Sequence, residues 1–186
     1  MIINHIEDSK IFGTKIITPQ IHKDDRGYFF ESFNSKDFKT LGLPTKFLQD
    51  NQAFSKKGTL RGLHYQLKYP QGKLVRVIQG EVFDVAVDIR RDSPSFGKYI
   101  EVHLSDKNNK IMYLPEGFAH GYIVLSETAI FQYKCTEIYH AEDEYGLLWN
   151  DKDLNIKWPV KNPILSQKDK NLPTLQSIDK KHLPKI

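Results

Sequence analysis

The sequence predicts an all-β fold, an antiparallel sandwich or barrel with a few short helices. Short apolar runs rich in Val, Ile, Tyr and Phe recur along the 186 residues, and these residue types favour strands. Clusters of Gly, Pro, Asn, Asp and Ser separate the runs at intervals of about ten residues, which is typical of antiparallel β proteins. Patterns with the helical period are scarce.

The clearest predicted strand covers residues 82–89, where side chains alternate between two faces. One face carries Phe83, Val85, Val87 and Ile89, and the other carries Val82, Asp84, Ala86 and Asp88. The same period predicts strands at 100–104, 111–114 and 122–125. The longest predicted strand covers 129–139, with one face formed by Phe131, Tyr133, Cys135, Glu137 and Tyr139.

One short helix is predicted at 35–41, where Ser35 is the expected N-cap and Gly42 ends the helix. Residues 150–186 carry less strand pattern and more Pro and Lys, so we expect them to wrap around the barrel. We find no internal repeat, low-complexity stretch or linker. The sequence therefore predicts a single domain over residues 1–186.

Composition narrows the classes of function. The net charge of +4 suits an anionic small ligand, but it is too small and too scattered for nucleic acid. Cys135 is the only cysteine, which excludes an internal disulfide and a Cys-based zinc cage. No signal peptide is evident, and no apolar run approaches the ~20 residues that span a bilayer. We therefore expect a cytoplasmic protein without a membrane or nucleic-acid partner.

Several familiar site motifs are missing. The chain lacks the Gly-rich dinucleotide and Walker motifs and the Gly-x-Ser-x-Gly elbow. Its seven histidines never form His-x-His or His-Glu-x-x-His, so a metal site of closely spaced histidines is unsupported. Residues distant in sequence can still meet in the fold.

The most informative run is Arg61 to Gln66, which reads RGLHYQ. Arg61 offers a fixed fork of donors for phosphate, and His64 is suited to moving protons near neutral pH. Together they indicate an anionic substrate and an acid–base step. In an unbroken strand, however, these two side chains point to opposite faces, so one shared site requires a bulge or twist.

Other candidates for proton transfer are scattered along the chain, and each has an ordinary structural alternative. Tyr133 and Tyr139 are possible acids, although most tyrosines are tethered core aromatics. For Lys73, an ordinary surface lysine is the more common outcome. Asp169 and His120 both lie in segments with turn character.

Taken together, the motifs resemble one family nearly end to end. The matching segments are 25–33 (DRGYFFESF), 49–51 (QDN), 61–66 (RGLHYQ), 71–76 (QGKLVR), 84–90 (DVAVDIR), 93–97 (SPSFG), 115–121 (PEGFAHG), 133–136 (YKCT), 149–151 (WND), 156–159 (IKWP) and 165–169 (LSQKD). This order and spacing resembles the dTDP-4-dehydrorhamnose 3,5-epimerases. The chain departs from many members at Gln52, where Ser is common, and at Tyr28 and Tyr122, where Phe is common.

The resemblance implies a metal-free, cofactor-free, cupin-like β-barrel (jelly roll) that works as a homodimer. Its implied reaction inverts C3 and C5 of dTDP-4-dehydro-6-deoxy-D-glucose through an enolate, giving dTDP-4-dehydro-L-rhamnose. That product leads to dTDP-L-rhamnose for cell-surface polysaccharide. Both carbons flank the C4 ketone, so one ketone serves both steps.

The resemblance also implies residue roles. His64 resembles the base and Asp169 its orienting partner, while Lys73 faces the C4 oxygen and Tyr133 is the opposite-face acid. The implied substrate-binding residues are Arg61, which holds the diphosphate, and Gln49, Asn51, His120 and Tyr139. In the family, a segment matching Arg26, Phe29 and Glu31 reaches the neighbouring subunit's site, which implies a dimer with exchange of the N-terminal segment.

Alternatives remain open at this level. A C3-only epimerase, or an epimerase of another nucleotide-linked 4-keto sugar such as a heptose, needs the same acid and base. A sugar 3,4-ketoisomerase is disfavoured, because such proteins carry a second His close after the first, where this chain has Tyr65 and Gln66. A sugar-binding barrel without catalysis is disfavoured because no proton-transfer group is missing.

Overall fold

Two facing antiparallel sheets form the body of the protein. The computed structural model describes residues 3–8, 11 and 13–185. Its strands are β1 (Ile3–Asp8), β2 (Lys15–Pro19), β3 (His22–Asp24), β4 (Gly27–Phe29), β5 (Gln49–Lys56), β6 (Leu60–Gln66), β7 (Lys73–Gln79), β8 (Glu81–Asp88), β9 (Tyr99–Ser105), β10 (Ile111–Leu114), β11 (Phe118–Val124), β12 (Thr128–Cys135) and β13 (Glu144–Gly146). Two short helices, α1 (Ser35–Thr40) and α2 (Gln167–Lys170), accompany them. The predicted all-β class is confirmed.

The strands are divided between two main sheets and one small hairpin. The larger sheet runs β1-β2-β10-β7-β12-β5, and the smaller runs β13-β6-β11-β8-β9. Strands β3 and β4 form a separate hairpin. Within both sheets the paired strands are antiparallel.

The main core lies between the two sheets. Val75, Phe131 and Met112 of the larger sheet pack against Ala86 and Val124 of the smaller one. All five are at most 1% exposed. A second cluster covers the outer face of the smaller sheet, where side chains such as Val85 and Ile123 meet residues after 146.

This second cluster explains why both predicted faces of β8 are buried. The C-terminal residues Leu154, Ile178 and Leu183 pack on the outer face of the smaller sheet, so neither face of β8 meets solvent. The segment after residue 150 contains α2, a 3₁₀ turn at Lys180–His182 and otherwise irregular backbone. No helix in the described part of the chain is long and apolar enough to cross a bilayer.

Two details of the predictions were wrong. The short helix predicted at 35–41 is present as Ser35–Thr40, but its N-cap is Asn34 and not Ser35, because the Asn34 side chain accepts the cap hydrogen bond from the Lys36 backbone. The strand predicted at 129–139 ends at Cys135. Cys135 pairs with the first residues of both neighbouring strands, Gln49 and Lys73, so the chain beyond it has no ladder to continue.

Candidate active site

A cavity of about 270 Å³ lies where the two sheets meet α2. Side chains from both sheets line it. Six of the residues predicted from the sequence do so, namely Arg61, His64, Lys73, His120, Tyr133 and Asp169. The structure therefore brings together groups separated by more than 100 positions in the chain.

A bulge in β6 turns Arg61 and His64 toward this one cavity. Tyr122 of β11 lies opposite Arg61, and His120 lies opposite His64. Two residues intervene on β6 and one on β11, so β6 carries one extra residue. The extra residue reverses the alternation of side chains, which answers the geometric question raised by the sequence.

Gly62 makes the bulge possible. Its φ is +116°, in the region that favours glycine, and the peptide bond that follows it is cis. A Cβ at this position would lie 2.6 Å from both the Gly121 Cα and the His120 carbonyl oxygen. The two strands therefore approach too closely for any side chain at residue 62.

His64 and Asp169 form a short, partly buried pair. The His64 Nε2 lies 2.6 Å from the Asp169 Oδ1, and its Nδ1 lies 3.7 Å from the Glu144 Oε1. Burial works to raise the pKa of Asp169, but hydrogen bonds from His64 and Ser166 hold it below its ordinary value. An ionised Asp169 accepts the Nε2 proton, so Nδ1 is the nitrogen left for chemistry.

The backbone of α2 fixes Asp169. Ser166 is the N-cap, and its Oγ accepts a hydrogen bond of 3.0 Å from the Asp169 backbone N–H. The sequence predicted a turn for this segment; the short helix presents the carboxylate to His64.

Lys73 and Tyr133 come from the larger sheet. Lys73 is 8% exposed, and burial lowers its pKa, while the charges of Glu144 and Asp84 oppose that change. Burial raises the pKa of Tyr133 to about 12, so its hydroxyl keeps its proton throughout the neutral range.

His120 is held by a carboxylate of its own. Its Nε2 lies 2.9 Å and 3.1 Å from the two carboxylate oxygens of Asp84. His120 is 6% exposed and Asp84 is 0% exposed. The His120 ring also stacks on Phe131, with centroids 6.1 Å apart. His120 lies within β11 rather than in a turn.

Arg61 has two hydroxyl groups beside it. Its Nε donates to the Ser55 Oγ at 3.1 Å. The Tyr122 hydroxyl lies near the Arg61 guanidinium and the Ser55 hydroxyl. It is buried and has no hydrogen-bond partner of good geometry among the described residues. Burial raises the pKa of Tyr122, while the Arg61 charge lowers it.

Three further predicted residues lie outside the cavity lining but connect to it. The Gln49 amide donates to the Asn51 Oδ1 at 2.9 Å and accepts from the Tyr139 backbone at 2.7 Å. The Tyr139 hydroxyl donates to the Glu144 Oε2 at 2.7 Å. Asn51 pairs with Tyr133 across the ladder. Tyr139 itself is 50% exposed, because it follows the end of β12.

Arg26, Phe29 and Glu31 lie on or just after the β3–β4 hairpin, away from the cavity described above. Arg26 pairs with Asp24, and Phe29 is 66% exposed. Within one chain these three residues do not contribute to the cavity lining.

Sequence reasoning missed Asp84, Glu144 and Lys168. The Glu144 Oε2 accepts hydrogen bonds from both Tyr139 and Lys168; burial opposes the resulting fall in its pKa. Glu144 follows Glu142 and Asp143, so nothing in the pattern distinguishes it. Asp84 did have a signal, since it is one of two aspartates in a largely apolar strand.

Comparison with known proteins places this fold among the dTDP-sugar isomerases. The chain belongs to the dTDP-4-dehydrorhamnose 3,5-epimerase family, whose model matches residues 8–177. A relative of that name from Shigella flexneri is 56% identical over 158 residues, covering 84% of this chain and 87% of that protein. Another from Methanothermobacter thermautotrophicus is 51% identical over 162 residues, covering 86% and 88%. The prediction of an isomerase that acts as an epimerase is confirmed.

Solved structures agree. The dTDP-6-deoxy-D-glucose-3,5-epimerase of Legionella pneumophila, in complex with dTDP-4-keto-L-rhamnose, is 48% identical with a TM-score of 0.95, over 98% of each chain. The predicted cupin-like jelly roll is confirmed. A 3′-monoepimerase from Streptomyces bikiniensis, in complex with dTDP-quinovose, is also similar, with 34% identity and a TM-score of 0.90 over 95% of this chain and 91% of that one.

Proposed function

We propose that the protein inverts C3 and C5 of dTDP-4-dehydro-6-deoxy-D-glucose and so forms dTDP-4-dehydro-L-rhamnose for dTDP-L-rhamnose biosynthesis. One observation carries the proposal: His64 and Tyr133 line one cavity from two different sheets. A base in one wall and an acid in the other match a reaction that removes a proton from one face of a sugar and returns one to the other face.

His64 is the base in this proposal. The ionised Asp169 holds its Nε2–H at 2.6 Å, so Nδ1 carries the lone pair that removes the proton next to the ketone. The resulting imidazolium is stabilised by Asp169 and, at 3.7 Å, by Glu144. Asp169 acts here as the carboxylate of a catalytic triad does, by orienting the ring and offsetting its charge.

Lys73 stabilises the intermediate. When the proton leaves C3 or C5, the electron pair of the broken C–H bond moves onto the C4 oxygen and forms an enolate. A buried ammonium at that oxygen is more effective than one in water, because little solvent screens it. The nearby charges of Glu144 and Asp84 help Lys73 to stay protonated despite its burial.

Tyr133 is the acid. Its hydroxyl gives a proton to the enolate carbon from the face opposite His64, and the C4 ketone re-forms. The Tyr133 pKa of about 12 ensures that the hydroxyl is protonated at the start. Solvent then returns a proton to Tyr133 and accepts one from His64, which restores the enzyme for the second carbon.

The nucleotide portion is assigned to the residues around Arg61. The Legionella and Streptomyces relatives were solved with dTDP-linked sugars, and Arg61 suits a diphosphate because its guanidinium presents several donors in one plane. Gln49, Asn51, His120 and Tyr139 complete the proposed substrate contacts.

A homodimer is part of the proposal. Tyr28 and Phe29 on the hairpin are 56% and 66% exposed, which is unusual for neighbouring aromatic side chains in a monomer. We expect the hairpin, with Arg26, Phe29 and Glu31, to exchange between subunits and reach the partner's cavity. Sedimentation of the wild-type protein should give twice the chain mass.

The reaction is tested by proton NMR of dTDP-4-dehydro-6-deoxy-D-glucose and enzyme in deuterated water. We expect deuterium at both C3 and C5. His64→Asn should abolish incorporation while changing the affinity for dTDP less than threefold. His103→Asn is the matched control, because His103 is an exposed imidazole outside the cavity. Incorporation of deuterium by His64→Asn at the wild-type rate would refute the role of His64 as the base.

The second candidate is a C3-only epimerase, favoured by the similarity to the Streptomyces 3′-monoepimerase. The same base and acid serve both reactions, so the distinction depends on how the ring turns between steps. Deuterium at C3 without C5 would support this candidate and refute double inversion. Failure of any incorporation would instead support a sugar-binding barrel without catalysis.

A further inference from the structure

A second imidazole–carboxylate pair, formed by His120 and Asp84, adjoins the cavity, and His120 belongs to the cavity lining. It lies directly beside the first, because His120 and His64 are opposite each other in the β6–β11 ladder. The two pairs differ in burial: the His64 side chain is 27% exposed and that of His120 is 6% exposed. Asp169 reaches His64 from a helix, whereas Asp84 reaches His120 from the adjacent strand β8.

Asp84 differs in its partners from its neighbour Asp88. Both carboxylates lie on β8, four residues apart, and both are 0% exposed. Asp88 accepts hydrogen bonds from Arg90, Ser93 and Ser95, which anchor the loop after β8. For Asp84, His120 is the one side-chain hydrogen-bond donor among the described residues.

This difference in partners points to different roles. A buried carboxylate is costly unless several donors compensate it, and Asp88 has them. Asp84 has one imidazole on the wall of the cavity, with the charge of Lys73 nearby. A buried polar group with few partners calls for an explanation, and a role in catalysis is one of the common ones. Asp84 is therefore poorly explained as a structural anchor and well explained as part of the site.

We propose that Asp84 is a positioning residue of the active site, which holds His120 with its Nε2–H toward β8 and leaves Nδ1 for the bound sugar. A carboxylate on one ring nitrogen fixes both the tautomer and the orientation of an imidazole. The stack on Phe131 restrains the ring plane as well. This inference rests on the proposed epimerase function, since it assigns His120 to the sugar.

The variant that tests it is Asp84→Asn, with Asp88→Asn as the matched control on the same strand. An amide at residue 84 donates as well as accepts, so it allows the other tautomer of His120. We expect kcat to fall by about 10²- to 10³-fold, with KM and the Kd for dTDP changed less than threefold. Asp88→Asn should lower the thermal midpoint and leave the kcat of the folded protein within threefold of wild type.

Nitrogen NMR of the imidazoles distinguishes a positioning role of Asp84 from a purely structural one, because it reports which ring nitrogen of His120 carries the proton. In the wild-type protein we expect the His120 Nε2 to carry a proton at neutral pH, with the signal assigned by its loss in His120→Gln. Asp84→Asn should shift this signal, and Asp88→Asn should not. Because the first measurement is made on the wild-type protein, it tests the inference even if Asp84→Asn does not fold.

Two results would overturn the inference. One is a neutral His120 in wild type with its proton on Nδ1 alone. The other is a folded Asp84→Asn protein whose kcat stays within threefold of wild type. Both differ from failure of the proposed function, which would appear as wild-type protein that binds dTDP but incorporates no deuterium at C3 or C5.

Discussion

Replacing Tyr133 with Phe separates removal of a proton from its return. His64 remains in Tyr133→Phe, so the enolate still forms, but the opposite-face donor is lost. We expect formation of the inverted product to fall by about 10²- to 10⁴-fold, the usual contribution of a general acid. In deuterated water, His64 should return deuterium to the face from which it took the proton, giving exchange with retained configuration.

The same substitution has a pH-dependent effect on stability. Burial raises the Tyr133 pKa from 10.0 to about 12, so the unfolded chain ionises first. Stability from this group is complete below pH 10 and is lost as pH rises toward 12. At pH 11 the loss corresponds to a tenfold change in the unfolding equilibrium, about 1 kcal/mol. Phe removes this loss, so the variant should gain about 1 kcal/mol relative to wild type between pH 8 and pH 11.

Tyr113→Phe is the matched control. Burial also raises the pKa of Tyr113 to about 12, but Tyr113 packs on the outer face of the larger sheet, in the cluster with Phe38 and Leu43. Urea unfolding at pH 8 and pH 11 should therefore give the same relative gain for both variants, whereas NMR should show lost inversion for Tyr133→Phe alone. Inversion by Tyr133→Phe at more than a tenth of the wild-type rate would refute its role as acid.

Two further predictions concern Lys73 and Gly62. Lys73→Met should slow turnover by about 10²- to 10³-fold. Because burial lowers the Lys73 pKa, the kcat of the wild-type enzyme should decline at a pH below the ordinary lysine pKa of about 10.4. A kcat profile from pH 6 to 10 without that decline would contradict the cationic role of Lys73. Gly62→Ala should cost about 3 kcal/mol or more of unfolding free energy, because its Cβ would lie 2.6 Å from the Gly121 Cα. Gly58→Ala, with φ +78° and nothing within 4 Å, should cost only about 1–2 kcal/mol, and equal losses in urea unfolding would refute the steric argument.

The all-β fold was predictable because period-two alternation records which side chains are buried. The strand at Ile111–Leu114 was predicted to the residue, and β8 within one residue. The end of β12 was not predictable, because alternation continues to Tyr139 in the sequence while the neighbouring strands begin at Gln49 and Lys73. The length of a strand depends on its partners, and a single sequence does not show them.

Many residues of the candidate site were predictable, whereas its geometry was not. Resemblance to the family pointed to His64, Lys73, Tyr133 and Asp169, which the fold brings to one cavity. The sequence pattern, in contrast, placed Arg61 and His64 on opposite faces. A bulge arises from contact between two strands. The only indication of it in the local sequence was Gly62, and glycine is equally common in turns.

The arrangement of the two sheets gives the proposed chemistry its direction. The smaller sheet supplies both imidazoles, His64 and His120, while the larger supplies Lys73 and Tyr133. In the proposed mechanism, a sugar bound between the sheets meets the two imidazoles on one side and an ammonium and a phenol on the other. Because the bulge at Gly62 sets which side chains of β6 face inward, the stereochemistry of proton transfer depends on the register of one strand pair. A shift of that register by one residue would remove His64 from the cavity while leaving the larger sheet intact.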